Sequence, residues 1–385
     1  MRPRPAFLTM LSSLAVAALA TTSAVAAVPP SADGVRTVAA PAATDTDGDS
    51  LPDTWETNGY DANGDGVIDV NLPALGASPT KKDLFVEMDY MDGRLASTAA
   101  LDRIVQVFAT APVSNPDGTT GVKIHLDAGS ARGTAYNLGG GNQVPYDADL
   151  NPSATQTKAI KAANFATVRK AVFHYMIWGD SYDGGCSSGQ AFNIPNDTFI
   201  VTIGPKCGWN ATDNYNVGTF VHELGHNIGL KHGGTDNLNY KPNYLSVMNY
   251  FFQLGGVLKA DGSTYWGYSN VAPPALNEAS LRESTGLGST ASAFRTSWKC
   301  PNGSTRTTAG PASGPIDWNC DGDSVDTTAA DINDDNATSS LTAQNNWASL
   351  VFGGGAVGQG STVQSKTPAS ELQELTHDEW TSLHR

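Results

Sequence analysis

The pattern of apolar and polar residues predicts two strands and a helix early in the chain. Apolar and acidic residues alternate over residues 84–90, as in a strand of a sheet. Residues 98–110 show helical periodicity, and residues 122–126 again favour a strand. The apolar face of the predicted helix consists of Leu101, Ile104, Val105 and Phe108. This order predicts a helix packed on a sheet.

Further segments continue the alternation of helices and strands. Residues 156–170 contain few helix breakers and predict a helix. Residues 172–178 are compatible with a helix or a strand, and we favour the strand, whereas residues 198–203 form the clearest strand pattern in the chain. After Tyr250 the periodicity fades, which predicts a loop-rich region with a short helix near residues 371–375.

The segment after the last of these strands places three histidines at the spacing of a metal site. His222 and His226 are four residues apart, so they share one face of a helix. Gly229 can adopt the positive φ that ends a helix, which brings His232 to the same ion. Three neutral imidazoles leave one position open for water, as in a catalytic zinc site. Glu223 adjoins the first ligand and is placed to take a proton from that water.

This His-Glu-x-x-His-x-x-Gly-x-x-His pattern resembles the zinc helix of the metzincin metallopeptidases. Met248, within residues 246–250, matches the Met-turn of that family. In its astacin and serralysin branches a tyrosine reaches the zinc or the developing oxyanion, and Tyr250 occupies the matching place. Gly233 follows the third histidine, where the branches partly differ, and leaves the branch unassigned. The resemblance implies one catalytic zinc, with Glu223 as the general base.

The resemblance also implies an α/β (α+β) fold. The expected upper subdomain is a twisted mixed sheet with helices packed on it and the zinc helix at a cleft; the lower subdomain is rich in loops. An edge strand would bind an extended peptide by strand addition, with residues 184–191 as the rim of the cleft. The expected organisation is a signal peptide (1–27), a linker or short pro-segment (28–44), Asp-rich calcium-binding repeats (45–72), the upper subdomain (80–235) and the lower subdomain (236–385).

The first residues and the charge bear on localisation and partners. Arg2 and Arg4 precede an apolar run and an Ala-Val-Ala sequence, which is typical of a secretory signal peptide and predicts a secreted, extracellular protein. The formal charge of −15, from 38 acidic and 23 basic residues, argues against nucleic acid and anionic membranes as partners and suits calcium. We therefore expect a protein or peptide substrate. The oligomeric state stays open.

Four cysteines predict two disulfides in an exported protein, although three pairings are open. Proximity along the chain favours Cys186 with Cys207 and Cys300 with Cys320. A metal site built from all four is the alternative, but the cysteines lack the C-x-x-C spacing typical of such sites.

Several Asp-rich segments show the spacing of calcium loops. Residues 45–56 place oxygen ligands at loop positions 1, 3, 5, 9 and 12, with Ser50 at the sixth place, where glycine is usual. A second copy has Gly66 at that place, and residues 317–323 repeat the spacing. The first two resemble thrombospondin type 3 repeats. We expect two or more structural calcium ions, bound by Asp45, Asp47, Asp49, Asp53, Glu56, Asp61, Asn63, Asp65, Asp69, Asp317, Asn319, Asp321 and Asp323.

These features predict a secreted zinc-dependent endopeptidase. The alternative is an extracellular calcium-dependent adhesion or matrix-binding module with a structural or relict zinc site. A structural zinc normally has four protein ligands, whereas the motif supplies three and a base. A zinc hydrolase that acts on another bond also stays open. The sequence does not indicate the substrate or the cleavage preference.

Overall fold

A five-stranded sheet organises the first half of the chain in the computed structural model, which describes residues 43–358, 367–368 and 373–383. The strands of this half are β1 (Asp83–Tyr90), β2 (Lys123–Asp127), β3 (Phe173–Trp178), β4 (Gly189–Ala191), β5 (Asn193–Ile194) and β6 (Thr198–Val201). Five of them form the sheet in the order β2-β1-β3-β6-β4, in which β4 is antiparallel and lies at an edge. The mixed sheet confirms the predicted α/β (α+β) class.

The helices pack on this sheet and after it. They are α1 (Asp53–Asn58), α2 (Leu72–Leu75), α3 (Thr98–Ala109), α4 (Ser153–Asn164), α5 (Asp213–Asn227) and α6 (His377–Leu383). Helix α3 confirms the prediction for residues 98–110; of the predicted face it buries Leu101, Ile104 and Phe108, whereas Val105 is half-buried. Helix α4 ends at Asn164 rather than near residue 170, because Phe165 turns to an extended conformation and its ring packs 5.3 Å from that of Tyr175.

The core lies on both faces of the sheet. Successive residues of β1 point to opposite sides, so Leu84, Val86 and Met88 belong to one apolar cluster and Phe85 to the other. Strand β3 is buried throughout, which confirms the strand rather than the helix for this segment. Helix α5 packs against α3, β6 and the edge strand β4. The edge of the sheet therefore lies beside the helix that carries the candidate metal ligands.

The second half of the described chain is rich in loops, as expected. Its strands are β7 (Val257–Leu258), β8 (Thr264–Tyr265), β9 (Leu276–Asn277), β10 (Leu281–Arg282), β11 (Ser297–Lys299), β12 (Thr305–Thr307), β13 (Thr327–Thr328), β14 (Ser340–Leu341) and β15 (Thr367–Pro368). They form short antiparallel pairs: β7 with β8, β9 with β14, β10 with β13, β11 with β12, and β15 with β5.

The helix predicted near residues 371–375 is wrong for residues 373–375, which are not helical. Helix α6 begins after them because Thr376 and Glu379 form a capping pair, in which the Glu379 carboxylate accepts from Thr376 N and Thr376 Oγ1 accepts from Glu379 N. Residues 371–372 lie outside the described residues.

Both predicted disulfides, Cys186–Cys207 and Cys300–Cys320, are confirmed. The described residues group as one unit, which contains the predicted boundaries between repeats and subdomains. The predicted signal peptide and most of the predicted linker lie outside the described residues. Among the described residues, we find no helix with the length and hydropathy that crossing a bilayer requires.

Candidate metal centre

Helix α5 and the turn after it position the three histidines. The helix begins after the N-cap residue Thr212 and ends at Asn227. Gly229 then takes a left-handed φ of +96°, the conformation expected from the sequence. The chain turns back at this residue, and His232 returns to the helix face that carries the other two histidines.

The three imidazoles converge on one point. Nε2 of His226 lies 3.1 Å from Nε2 of His222 and 3.1 Å from Nε2 of His232, and all three residues are buried. Two nitrogens that bind one tetrahedral zinc at about 2.0–2.1 Å lie roughly 3.3–3.4 Å apart. The spacing therefore fits a zinc ion held by three histidine nitrogens.

Backbone carbonyls orient two of these ligands. Nδ1 of His222 lies 2.9 Å from the carbonyl oxygen of Val247, and Nδ1 of His226 lies 2.8 Å from that of Leu230. Because a carbonyl only accepts hydrogen bonds, Nδ1 carries the proton and Nε2 keeps its lone pair for a metal. Burial lowers the pKa of His222 and of His226, which favours the neutral form that binds metals.

Glu223 lies beside the ligand cluster without belonging to it. Its side chain is fully buried, and neither carboxylate oxygen accepts a hydrogen bond of normal geometry from the described residues. Strand β4 passes so close that a Cβ at Gly189 would lie 2.6 Å from Glu223 Oε1. Burial, and then the nearby Glu374 carboxylate, raise the pKa of Glu223 well above its usual range.

Met248 packs directly beneath the helix. A Cβ at Gly225 would lie 2.4 Å from Met248 Sδ and 2.9 Å from Tyr268 Cε1, so the helix approaches this methionine through a glycine. The same turn supplies the Val247 carbonyl that orients His222. The predicted Met-turn residue therefore forms the floor under the histidine-bearing helix.

Tyr250 reaches the cluster, as its position in the sequence suggested. Its hydroxyl oxygen lies 3.3 Å from His232 Nε2 and 3.2 Å from Glu374 Oε2, and it also donates to the carbonyl oxygen of Gln373. Burial and the Glu374 carboxylate raise the pKa of Tyr250 well above its usual range, so the phenol keeps its proton and remains a donor.

Glu374 joins the site, although sequence reasoning missed it. Its Oε2 lies 3.4 Å from Nε2 of both His222 and His232, and its Oε1 lies 3.6 Å from Nε2 of His226. Burial alone would raise the pKa of Glu374, but the adjacent histidines hold it well below its usual range. The residue lies far along the chain from the motif and has no metal-ligand spacing of its own. No sequence signal could have found it.

The first Asp-rich loop forms a buried acidic site against the sheet. Carboxylate oxygens of Asp45, Asp47 and Asp49 lie within 4.8 Å of one another, and those of Asp49, Glu56 and Asp83 form a second such group. Glu56 is only 2% exposed, and neither of its carboxylate oxygens has a hydrogen-bond partner among the described residues. A hard cation with many oxygen ligands, such as calcium, would satisfy these atoms.

The predicted ligand Asp53 lies apart from these groups, because both of its oxygens accept hydrogen bonds from Thr46. At the sixth loop position Ser50 has a φ of +75°, and Gly66 in the second loop has a φ of +88°. The two loops thus share one backbone path, although glycine occupies that position in only one of them. The Lys82 ammonium also reaches the first loop and donates to the Asp47 carbonyl.

The second loop keeps its predicted ligands near the surface. Asp61 accepts hydrogen bonds from Gly64 N and Gly66 N, and Asp69 accepts one from Ala62 N. The other two predicted ligands are exposed, and the Asn63 amide nitrogen donates to Asp65. The first loop uses Asp45 in the same way, to accept from Gly48 N and Ser50 N. The second loop differs because none of its carboxylates, all of which are described, is buried without a hydrogen-bond partner as Glu56 is.

The third loop combines one predicted ligand with two residues that were not predicted. Asp323 groups with Glu283 and Asp326, and the fully buried Glu283 has one carboxylate oxygen without a partner among the described residues. The other predicted ligands lie outside this group: Asp317 pairs with Arg306 at 2.9 Å, and the Asn319 amide nitrogen donates to Asp321.

Comparison of the chain with protein-family models, with curated proteins and with solved structures found no match.

Proposed function

We propose that this protein is a zinc-dependent endopeptidase of the metzincin type. The observation that carries the proposal is the convergence of three buried histidine nitrogens beside the buried, unpartnered carboxylate of Glu223. The histidines have the donor chemistry and spacing of a zinc site. A carboxylate next to such a site, but outside the ligand group, is suited to general-base chemistry.

The residues of this site divide the proposed reaction among them. Zinc, when bound by His222, His226 and His232, supplies the Lewis acid for peptide hydrolysis. Glu223, which is buried beside the ligand group, takes a proton from the attacking water and passes it to the leaving amine. The protonated Tyr250 donates a hydrogen bond to the oxygen on which negative charge develops.

Calcium is the second cofactor that we propose, with a structural role. Both carboxylate oxygens of Glu56, at the first Asp-rich loop, and one carboxylate oxygen of Glu283, at the third, lack a hydrogen-bond partner among the described residues. A cation that binds these sites only in the folded state stabilises that state. The two disulfides support an oxidising, extracellular location for the protein.

One observation favours the second candidate, an adhesion or matrix-binding module with a structural zinc. Glu374 adds a fourth protein donor to the three histidines, and structural zinc sites have four protein ligands. In that function Glu223 would have no catalytic role, and the Asp-rich loops would be the functional surface. The two candidates therefore differ in what Glu223 and Glu374 do.

The test of the endopeptidase is hydrolysis of denatured casein by four zinc-loaded proteins: the wild type, Glu374→Gln, and each of these with Glu223→Gln. We expect Glu223→Gln to lower the rate by about 10²–10⁴, because a general base contributes that much. Zinc content should not change, since Glu223 lies outside the ligand group. If neither protein with an intact Glu223 cuts casein while folded and zinc-loaded, the binding module is the better account.

A further inference from the structure

A segment late in the chain, residues 373–377, lies along the edge of the sheet beside the metal site. Ser188 N donates to the carbonyl of Leu375 at 2.9 Å, and His377 N donates to the carbonyl of Cys186 at 3.0 Å. Ser187 and Thr376 form an antiparallel bridge between these two bonds. The segment therefore adds to the sheet edge in the way that an extended peptide does. We call it the docked segment.

The docked segment places its polar groups where a substrate of the proposed peptidase would have to bind. The carboxylate of Glu374 lies 3.4–3.6 Å from all three histidine nitrogens, which is the spacing of a fourth ligand around the same ion. The carbonyl of Gln373 accepts the hydrogen bond of Tyr250, the donor proposed for the substrate oxygen. One internal segment thus occupies both the position of a fourth metal ligand and the oxyanion position.

Apolar contacts hold the docked segment in place. Leu375 is fully buried, and helix α6 begins at His377, the last residue of the segment. On α6 the ring of Trp380 packs 5.9 Å from that of Tyr215, and its Nε1 donates to the Tyr215 hydroxyl at 3.0 Å. The His377 ring lies 4.9 Å from that of Trp209. Because Tyr215 belongs to the first turn of α5, these contacts fix the segment to the metal-site helix itself.

We propose that the docked segment is an internal inhibitor, and that Glu374 is the fourth metal ligand of a latent form of the enzyme. This inference rests on the proposed peptidase function. Since the carboxylate is tethered, its effective concentration at the metal is on the order of millimolar or higher, and any external ligand has to displace it. Activation then requires release of the segment from the sheet edge, after which water and an extended peptide take its two positions.

Binding of a small zinc ligand tests this without relying on catalysis. Acetohydroxamate is titrated by calorimetry into the zinc-loaded wild type, Glu374→Gln, Trp380→Ala and the matched control Asp378→Asn. Asp378 is an exposed acid on α6 and does not belong to the metal-site group; its carboxylate lies 3.8 Å from Nδ1 of His377, and an exposed pair of this kind contributes little to docking. We expect Kd to fall by about tenfold or more for Glu374→Gln, because the competing carboxylate is removed. Trp380→Ala should lower Kd in the same direction, because it weakens docking and keeps every ligand. Asp378→Asn should match the wild type.

Three outcomes separate this inference from the proposed function. Tighter hydroxamate binding in Glu374→Gln and Trp380→Ala, together with faster casein hydrolysis, supports both. Tighter binding without hydrolysis in any variant supports the internal ligand and overturns the peptidase. Two results overturn the proposed internal inhibitor. One is an unchanged Kd in both variants. The other is loss of zinc from Glu374→Gln under dialysis in which the wild type keeps its zinc, which would make Glu374 a permanent structural ligand.

Discussion

At the scale of single residues, the metal site depends on positions where no extra atom fits. Gly225 stands between the histidines of α5 and lets the helix approach Met248 and Tyr268. Gly189 does the same for β4 and the carboxylate of Glu223. These two glycines set how closely the helix, the sheet edge and the methionine below can pack. The positions of the ligands therefore depend on residues that bind nothing themselves.

We predict that Gly225→Ala destabilises the protein even though alanine favours helices. The new Cβ would lie 2.4 Å from Met248 Sδ, so the helix or the methionine has to move. Overpacking of this kind costs about 1–3 kcal/mol, more than the helix propensity gained. Urea unfolding of the zinc-loaded protein measures the change. The controls are Met248→Ala alone and the double variant. The double variant should lose less free energy of unfolding than the two single variants together, and strictly additive losses would contradict the clash.

At the scale of elements, β3 shows how a polar residue is accommodated inside the sheet. His174 is fully buried, and its Nδ1 faces the side chain of Asn227 at the end of α5. The pKa of His174 is lowered to about 4, chiefly by burial. The Asp197 carboxylate opposes this shift, and the Lys161 ammonium adds to it. The imidazole is therefore neutral in the folded protein at neutral pH.

This predicts a loss of stability in acid. A histidine in the unfolded chain has a pKa of about 6.5, so below that pH the unfolded state binds a proton that folded His174 does not. The contribution of neutral His174 to the free energy of unfolding is complete above pH 6.5 and is lost as the pH falls towards 4. At pH 5 the loss should be on the order of 1 kcal/mol or more.

The measurement is the free energy of unfolding from pH 7.5 to 4.5 for the wild type and His174→Gln. Both proteins are freed of zinc first, so that the three histidine ligands contribute equally to the two curves. The slope between pH 6.5 and 4.5 should be smaller in His174→Gln, whose amide does not titrate in this range. Identical slopes would show that His174 titrates alike in the folded and unfolded states.

At the scale of the whole molecule, the first Asp-rich loop is joined to the central sheet. Asp49 accepts a hydrogen bond from the backbone nitrogen of Asp83, the first residue of β1, at 2.7 Å. Glu56 of α1 completes the same acidic group from the other side. A cation at this position would join a loop near the start of the described chain to strand β1 of the five-stranded sheet.

We therefore predict that calcium raises the thermal midpoint of the whole unit. Binding to the folded state alone stabilises by about 2.7 kcal/mol when free calcium is a hundred times Kd. Glu56→Gln should remove most of this effect, since it replaces one charged oxygen of the buried group. The measurement is the midpoint in calcium and in EGTA, with Asp92→Asn, an exposed acid outside the loops, as the control. A full calcium response in Glu56→Gln would exclude this site.

Much of the fold and of the candidate site follows from local sequence. The helix over residues 98–110, the strand over residues 172–178 and the two disulfides are confirmed, because periodicity and chain proximity report on short-range structure. The end of α4 and the short helix near residue 371 are not predicted well, since a ring contact and a capping pair decide them. The predicted calcium ligands all came from within single loops, whereas two of the acidic groups in the structure combine loop residues with a residue from a distant segment.

Local sequence predicts the three histidines, Glu223 and the turn at Gly229, because a helix of fixed pitch brings residues four apart onto one face. Long-range packing, in contrast, brings Glu374 to these histidines and Asp83 and Glu283 to the acidic loops. Those contacts join segments far apart in the chain, and no periodicity relates them. They exist because the sheet edge and the buried core leave unpaired backbone and carboxylate groups that another part of the chain can reach.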